Sequence, residues 1–318
     1  MKVYILVSIL LAVLSYVYLR LAKKFKIIDK PNDRNAHTKT TVRGGGIIFP
    51  IAILLNFFFN DFQYPYFVLG IFLIAIISFL DDMHNLSVRI RFPFQFIAVF
   101  LILYQVGGDL SSVPLFVLFV CMGIGIINMF NFMDGINGMT GIYSLVVLSG
   151  LFFINLNEHL VHDDLILFPA ISVLIFGFYN FRKTALFFAG DIGSITMGAF
   201  IFFIGLLFAI KLSSPLMLLL VIVYGADTGC TFLYRKLCTN ENVFAPHKHH
   251  IYQKLVDVKK ISHLKVAAAY AVVQLVVNVI IYKTYHLPLQ TQWLMLLGAI
   301  VFFMLLYILS FYKLKVRS

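Results

Sequence analysis

Long apolar runs, separated by short polar segments, make up most of this chain. The runs lack the period-two alternation of membrane strands, so each is typical of a transmembrane helix. Several fall short of the roughly 20 residues of a straight span, and tilting or local thinning of the bilayer then has to help. The pattern predicts an all-α, polytopic membrane bundle of about eleven transmembrane helices. The predicted spans are 3–21, 45–60, 65–80, 93–106, 113–130, 138–155, 165–181, 190–211, 213–234, 265–284 and 292–312.

The composition agrees with a membrane protein and excludes an ordinary soluble domain. Hydrophobic residues make up 61% of the chain and charged residues only 12%, with a mean hydropathy of +0.94. We expect a single integral membrane domain over residues 1–318. Cys121 and Cys230 lie in apolar runs and the number of cysteines is odd, so no disulfide framework is expected.

Positive charge is distributed unevenly between the two sides of the predicted membrane. When the loops are placed on alternate sides, 22 of the 25 Lys and Arg residues collect on one side. The positive-inside rule makes this side cytoplasmic, with the N-terminus outside and the C-terminus inside. The net charge of +11 therefore marks topology and contact with anionic membrane lipid, and no nucleic-acid partner is expected. The dense polar clusters fall on the same side, so any chemistry should face the cytoplasm.

The densest polar cluster is NMFNFMDGINGMTG, residues 128–141. Asn128, Asn131, Asp134 and Asn137 recur at a spacing of three, which keeps their side chains on one helical face. Their oxygens suit a hard cation such as Mg²⁺; the alternative is a polar loop with turn glycines. Three glycines remove Cβ atoms from the same turn, so that backbone N–H groups can approach a phosphate or a sugar: Gly135, Gly138 and Gly141.

Two adjacent acids follow the third apolar run in the segment DDMHNL. Asp81 and Asp82 lie at a C-terminal helix end, where the helix dipole favours cations, so the pair needs a compensating positive charge. A metal ion could supply it, and so could Arg89 or Arg91. Adjacent acids can divide the work, with one near a metal and one accepting a proton; alternatively, both are solvated surface acids.

Two further aspartates belong to apolar segments. Asp191 opens the eighth run in the segment FAGDIGS, where it is either a helix N-cap or, between Gly190 and Gly193, a metal ligand. Asp227 lies inside the ninth run. An ionisable residue at that depth indicates either a functional role or a pairing with Arg235.

The first cytoplasmic loop carries basic residues beside glycines. Arg34, His37 and Arg43 precede the glycine run 44–46, and cationic donors beside an exposed backbone suit a phosphate or pyrophosphate. The alternative is topological charge joined to a flexible linker.

The longest cytoplasmic loop contains PHKHHIYQKL. His247, His249 and His250 suggest zinc, but no Cys or carboxylate stands at ligand spacing. Donation from His247, Lys248 and His250 to phosphate oxygens is the other interpretation.

In this order, DDMHNL, NMFNFMDGING, GDIGS and the histidine loop resemble the polyprenyl-phosphate N-acetylhexosamine-1-phosphate transferases, relatives of the phospho-N-acetylmuramoyl-pentapeptide translocases. The resemblance runs from residue 29 to about residue 255. It implies that a polyprenyl phosphate attacks the β-phosphorus of a UDP-N-acetylsugar, with release of UMP, at the cytoplasmic face of a bacterial inner membrane. It also implies Mg²⁺, or alternatively Mn²⁺, as cofactor, and it leaves a homodimer open.

The resemblance also implies roles for individual residues. The metal-associated positions fall on Asp191 and Asn131, and Asp81 and Asp82 match the acidic pair linked to acceptor activation or to the metal. Asp134 and Asn137 match positions near the nucleotide. The predicted catalytic residues are thus Asp81, Asp82, Asp134 and Asp191. The predicted substrate-binding residues are Arg34, His37, Arg43, Arg91, Asn128, Asn137, Asp227, His247, Lys248 and His250.

Two departures bear on the substrate. Asn137 stands where many family members carry a second Asp. The run from His250 to Gln253 resembles a branch that starts O-antigen or other surface-polysaccharide repeats, often from UDP-N-acetyl-6-deoxyhexosamines or UDP-N-acetylglucosamine. A transporter is the main rival because Asp227 is intramembrane, and a CDP-alcohol phosphotransferase is a second. The polar residues gather at one membrane face rather than at the midplane between repeats, which disfavours the transporter.

Overall fold

The structure is a computed structural model that describes residues 2–29, 40–107, 112–239 and 247–315. Helices dominate these ranges, beside a short antiparallel pair of strands, β1 (Ile28–Asp29) and β2 (Thr41–Val42). A 3-10 segment, Gly45–Ile47, leads into α2, and another, Pro215–Val221, leads into α9. The helices are α1 (Lys2–Lys24), α2 (Ile48–Phe59), α3 (Pro65–His84), α4 (Val88–Val106), α5 (Val113–Met133), α6 (Met139–Glu158), α7 (Asp164–Asn180), α8 (Gly190–Lys211), α9 (Ile222–Cys238), α10 (Ile251–Asp257), α11 (His263–Thr284) and α12 (Leu289–Lys315).

The helices of the described chain have the lengths of membrane-crossing segments. Nine are long and apolar enough to cross a bilayer by length and composition. Two further apolar helices, Gly45–Phe59 and Asp164–Asn180, are shorter. Each predicted span coincides with one of these segments, so the prediction of an all-α, multi-pass membrane protein is confirmed.

Helix boundaries differ from the predicted spans where charge or proline interrupts the apolar pattern. α4 begins at Val88 rather than at residue 93, because its first turns carry two arginines, one of which, Arg91, forms ion pairs inside the protein. The predicted span 213–234 is not one α-helix, since the 3-10 segment Pro215–Val221 precedes α9. α10 was not predicted, because its seven residues are too short to show a helical period.

α8 is the central helix of the bundle and carries polar residues at its N-terminal end. In its apolar stretch of 18 residues, 89% of the residues are buried, and the helix packs against α3 and α5. The 3-10 segment that leads into α2 approaches α8 closely, since a Cβ added to Gly46 would lie 2.3 Å from Gly193 Cα. Phe67 of α3 stacks on Phe203 of α8 with ring centroids 3.8 Å apart. These contacts fix the position of α8 and therefore of Asp191 in its first turn.

Candidate active site

A cavity of about 1200 Å³ lies at the end of the bundle where α1, α3, α5 and α7 end and where α8 and α11 begin. Its lining residues belong to segments that the charge distribution assigns to the cytoplasmic side. Both polar and apolar side chains form the wall. The predicted site residues that line it are Arg43, Asp82, Asn131, Asp134, Asn137, Asp191 and Lys248. The fold thus brings together residues that are distant in the sequence.

Three aspartates and two arginines form an ion-pair cluster beside this cavity. Arg43 Nε lies 2.7 Å from Asp82 Oδ1, and Arg43 Nη2 lies 2.9 Å from Asp191 Oδ1. Arg91 Nη1 lies 2.7 Å from Asp81 Oδ2 and 2.8 Å from Asp191 Oδ2. Asp191 is therefore the shared partner of both arginines. Counted at ordinary ionisation states, these five side chains carry one excess negative charge, and a further cation would be stabilised beside them.

Asp82 holds the first turn of α8. Its fully buried carboxylate accepts hydrogen bonds from the backbone N–H groups of Asp191 at 2.8 Å and of Ile192 at 3.1 Å. A carboxylate at this place satisfies N–H groups that lack an intrahelical partner and is favoured by the helix dipole. Gly190 has a φ of +72°, and a Cβ there would lie 2.5 Å from Asp82 Oδ2. The close contact between α3 and α8 therefore requires glycine at this position.

Asp81 lies behind the cavity wall rather than on it. One carboxylate oxygen pairs with Arg91, and the other accepts the N–H of Leu86 in the turn after α3. The predicted need for a compensating arginine beside the acid pair is confirmed for Arg91. Arg91 Nε is buried and has no hydrogen-bond partner within the described part of the chain, which leaves an unused donor in the cluster.

The polar face predicted for residues 128–141 is only partly formed at the cavity. Asn131 lies on the wall, and its Nδ2 donates to Ser194 Oγ at 3.3 Å. Asn137 also lies on the wall, and its Nδ2 donates to a backbone carbonyl of the loop after α7 at 2.9 Å. Asn128 does not line the cavity, because its Nδ2 donates to a glutamine of α4 at 2.9 Å. The spacing of three therefore predicts the cavity wall correctly for Asn131, Asp134 and Asn137, but not for Asn128.

Asp134 is half-buried and lines the cavity. This burial raises the pKa of Asp134 to about 8; the hydrogen bond from Thr140 opposes the rise, and the carboxylates of Asp191 and Asp82 add to it. Thr140 Oγ1 donates to Asp134 Oδ1 at 2.6 Å. A carboxyl group with such a pKa can take up or release a proton near neutral pH.

Two of the three glycines in the run 44–46 do not offer free N–H groups to a phosphate, so the prediction is wrong for Gly45 and Gly46. The N–H of Gly45 donates to the carbonyl of Phe188 at 2.8 Å, and the N–H of Gly46 donates to the carbonyl of Ala189 at 2.9 Å. Both glycines are buried against the segment that leads into α8. Their small size lets this loop pack closely and places the preceding arginine in the cluster.

The glycines of the stretch 128–141 also serve mainly for packing, which corrects the prediction that they expose N–H groups to a ligand. The N–H of Gly138 donates to Asn180 Oδ1 at 2.7 Å. A Cβ on Gly141 would lie 2.5 Å from the ring of Phe181. Gly135 does line the cavity.

The histidine loop reaches the cavity through Lys248, while its imidazoles lie behind the wall. His250 is buried, with Nδ1 3.2 Å from Asp227 Oδ1. The ring of His247 lies 5.6 Å from that of His249 and 5.0 Å from that of His250, measured between centroids. Among the described residues, no group of three or more His, Cys, Asp or Glu side chains could hold a metal ion, so the zinc interpretation gains no support.

Arg91, predicted to bind substrate, pairs with Asp81 and Asp191 but does not line the cavity, and three other predicted site residues do not lie on the described wall either. Asp227, predicted to bind substrate, is fully buried away from the cavity. Its carboxylate instead accepts hydrogen bonds from the backbone of α10. Arg34 and His37 lie outside the residues that the structure describes.

Several wall residues were missed by sequence reasoning: Tyr18, Asn180, Tyr252, Gln253 and His263. Tyr18 Oη donates to the carbonyl of Arg43 at 2.6 Å and so holds the loop that carries this arginine. A lone amide at the end of an apolar run was the available signal for Asn180. Tyr252 and Gln253, which belong to the short helix α10, stand in the run from His250 to Gln253 that indicated a family branch but no place on the cavity wall.

Comparison with known proteins identifies related chains. The sequence model of glycosyl transferase family 4 matches residues 64–209. A Bacillus subtilis (strain 168) protein named "probable undecaprenyl-phosphate N-acetylglucosaminyl 1-phosphate transferase" is 27% identical over 80% of this chain and 76% of its own length. The undecaprenyl-phosphate alpha-N-acetylglucosaminyl 1-phosphate transferase of Thermotoga maritima is 26% identical over 74% of this chain and 76% of its own length. A phospho-N-acetylmuramoyl-pentapeptide-transferase of Streptococcus pneumoniae serotype 19F is 28% identical over 65% and 72%, respectively.

Proposed function

We propose that this chain, whose residues 64–209 match the sequence model of glycosyl transferase family 4, transfers a sugar 1-phosphate from a UDP-N-acetylhexosamine, or its 6-deoxy form, to polyprenyl phosphate. An oxygen of the acceptor phosphate forms a bond to the β-phosphorus of the donor. The bond from that phosphorus to the bridging oxygen breaks, UMP leaves with this oxygen, and polyprenyl-pyrophosphoryl sugar remains in the membrane. The observation that carries the proposal is the ion-pair cluster around Asp191 on the wall of the large cavity.

The cluster supplies what phosphoryl transfer requires, namely positioning and neutralisation of charge. Arg43 and Arg91 are held in place by carboxylates on two sides, and about a quarter of each side chain remains accessible. Because the acceptor phosphate is already anionic at neutral pH, the proposed reaction does not require a strong protein base.

The oxygen-bearing side chains of the cavity wall are suited to binding Mg²⁺. Asp191 and Asn131 both line the cavity, carboxylate and amide oxygens are ligands that this hard cation prefers, and Mg²⁺ sites use few protein ligands. A carboxylate has about four lone-pair positions, so the two contacts of Asp191 with arginines leave room for a metal. When bound, Mg²⁺ or Mn²⁺ would neutralise negative charge on the transferring phosphate. The excess negative charge of the cluster supports such a cation.

The wall is also suited to a lipid acceptor at the cytoplasmic face. Beside its polar residues it includes the exposed apolar side chains of Leu21, Phe25 and Met83, at the ends of α1 and α3. A membrane-embedded polyprenyl phosphate could bring its headgroup to the cavity along such a surface. The positive-inside distribution supports a cytoplasmic site in a bacterial inner membrane. In that place the reaction would be the first membrane step of a surface polysaccharide such as O-antigen.

The proposal is tested with purified protein in detergent, undecaprenyl phosphate, Mg²⁺ and a panel of UDP-N-acetylsugars, including 6-deoxy forms. Release of UMP that needs the lipid, the metal and one donor would support the reaction and identify the sugar. An Asp191→Asn variant that inserts equally well serves as control and should release no UMP. UMP release that is independent of lipid, or transport of the donor without its cleavage, would contradict the proposal.

A further inference from the structure

Asp227 is a buried carboxylate for which the proposed chemistry has no direct use. It lies in α9 with no exposed surface, and it does not line the cavity. A charge at this depth is costly unless protein groups compensate it. The compensating groups therefore show what the carboxylate does.

Donors from three segments converge on this carboxylate. The backbone N–H of Ile251 donates to Oδ1 at 3.1 Å, and that of Tyr252 donates to Oδ2 at 3.3 Å. Tyr270 Oη of α11 donates to Oδ2 at 2.6 Å, and Thr231 Oγ1 donates to Oδ1 at 3.2 Å. His250 Nδ1 lies 3.2 Å from Oδ1, a hydrogen bond in the tautomer that has its proton on Nδ1. Asp227 thus ties the start of α10 to two membrane helices.

The short helix α10 forms part of the cavity wall. It contributes Tyr252, Gln253 and Asp257, and Lys248 just before it also faces the cavity. Seven residues are too few for a helix to be stable alone, so its place depends on outside contacts. The hydrogen bonds to Asp227 are contacts of this kind, and they act on its first turn.

α10 also contacts the C-terminal end of α5 and the turn that follows it, through Tyr252. Tyr252 is buried, and its Oη donates to the carbonyl of Phe132 at 2.9 Å. A Cβ on Gly135 would lie 2.2 Å from the same Oη, so the tyrosine presses directly on the turn that follows Asp134. A shift of α10 would therefore move this turn as well as the wall.

We propose that Asp227 is a positioning residue that anchors α10, and through Tyr252 the turn after α5, and so keeps both in the cavity wall. This assignment replaces direct substrate binding, because the carboxylate is occupied by protein donors and closed off from the cavity. The kinetic part of the test rests on the proposed transferase function, whereas the anchoring itself does not.

The test combines hydrogen exchange with kinetics on the full-length protein in detergent. Asp227→Asn presents an amide N–H₂ where N–H groups need an acceptor, and Tyr270→Phe removes one hydrogen bond while keeping the carboxylate. Exchange in residues 250–257 should rise on the order of tenfold in Asp227→Asn and less in Tyr270→Phe. kcat/KM for the donor should fall in the same order, mainly through KM, because the displaced segments line the cavity while the ion-pair cluster keeps its own contacts.

A matched control is Asp164→Asn. Asp164 is also buried and accepts a hydrogen bond from Asn60, but it starts α7, whereas Asn180 at the other end of this helix lines the cavity. Seventeen helical residues separate the two ends by about 25 Å. The control should leave exchange in residues 250–257 and the KM unchanged.

Two results would overturn the proposal. If Asp227→Asn abolished turnover without raising exchange in residues 250–257, the carboxylate would act on the substrate and not on α10. If exchange rose while kcat/KM stayed at the wild-type value, the position of α10 would not matter for the reaction. A wild-type protein that releases no UMP from any donor would contradict the proposed function alone, and the exchange data would still decide whether Asp227 anchors α10.

Discussion

The contact between Gly135 and Tyr252 predicts a specific coupling between the turn after α5 and the helix α10. The backbone of Gly135 is not in the left-handed region, so alanine is tolerated there by the main chain. Its Cβ, however, would lie 2.2 Å from Tyr252 Oη, 3.0 Å from Cζ and 3.1 Å from Cε2. Because Tyr252 is almost completely buried, the tyrosine or the turn must move.

The magnitude follows from these distances. Overpacking of a buried contact costs about 1–3 kcal/mol, which corresponds to about 5- to 150-fold if it appears in kcat/KM. Tyr252→Phe removes the nearest atom and the hydrogen bond to Phe132, at a cost of about 1 kcal/mol. In the double variant the 2.2 Å contact is gone and only the contacts at 3.0 and 3.1 Å remain. We therefore expect the two changes to be non-additive by at least about 1 kcal/mol, with the double variant no worse than Gly135→Ala alone.

The assay is UMP release by the wild type, the two single variants and the double variant, with kcat/KM converted to activation free energies. Gly125→Ala is the matched control, since this glycine of α5 has no atom within 4 Å of an added Cβ. It should leave kcat/KM at the wild-type value. If the two changes were additive within about 0.5 kcal/mol, alanine would act by blocking the cavity, and the inferred contact between the turn and α10 would be refuted.

Three further predictions concern the ion-pair cluster. Asp191→Asn and Asp81→Ala should each lower kcat by about 10²-fold or more, because each removes one of the two carboxylates that hold a guanidinium group in place; retained turnover in protein that inserts normally would remove that residue from the mechanism. Arg43→Lys should lower kcat/KM by about 10²-fold, since a single ammonium cannot bridge Asp82 and Asp191 as the guanidinium does, and a wild-type rate would show that the bridge is dispensable. Chelation with EDTA should abolish UMP release and added Mg²⁺ should restore it, whereas full activity in EDTA would exclude the metal from this reaction.

Much of this architecture could be predicted from sequence, because a bilayer imposes a strong pattern. Apolar runs long enough to span it give the helices, and the asymmetry of Lys and Arg places the polar segments on one side. Polar side chains are costly in apolar surroundings, so their clustering at the ends of runs indicated the site before any contact was known. Asp191, Asn131 and Asp134 were found in this way, and all three line the cavity.

The remaining features depend on contacts between distant segments, which local sequence patterns do not encode. The anchoring of α10 by Asp227 joins residues more than twenty positions apart across a loop. The glycine run 44–46 looked like a phosphate loop, because glycine that packs tightly and glycine that exposes its N–H have the same sequence signal. The division of the acid pair, with Asp82 holding α8 and Asp81 paired to Arg91, likewise follows only from the packing of α3 on α8.

The central claim, that this cavity transfers a sugar 1-phosphate to a lipid phosphate, is tested most directly by following the β-phosphorus of the donor. The measurement uses a UDP-N-acetylsugar labelled at the β-phosphate, undecaprenyl phosphate and Mg²⁺, with lipid and water-soluble products separated. The label should move into a lipid pyrophosphoryl sugar while unlabelled UMP is released, and Asp191→Asn should show neither. Release of labelled UDP together with an unlabelled glycolipid would contradict it, because the bond broken would then be the one between the sugar and the phosphate.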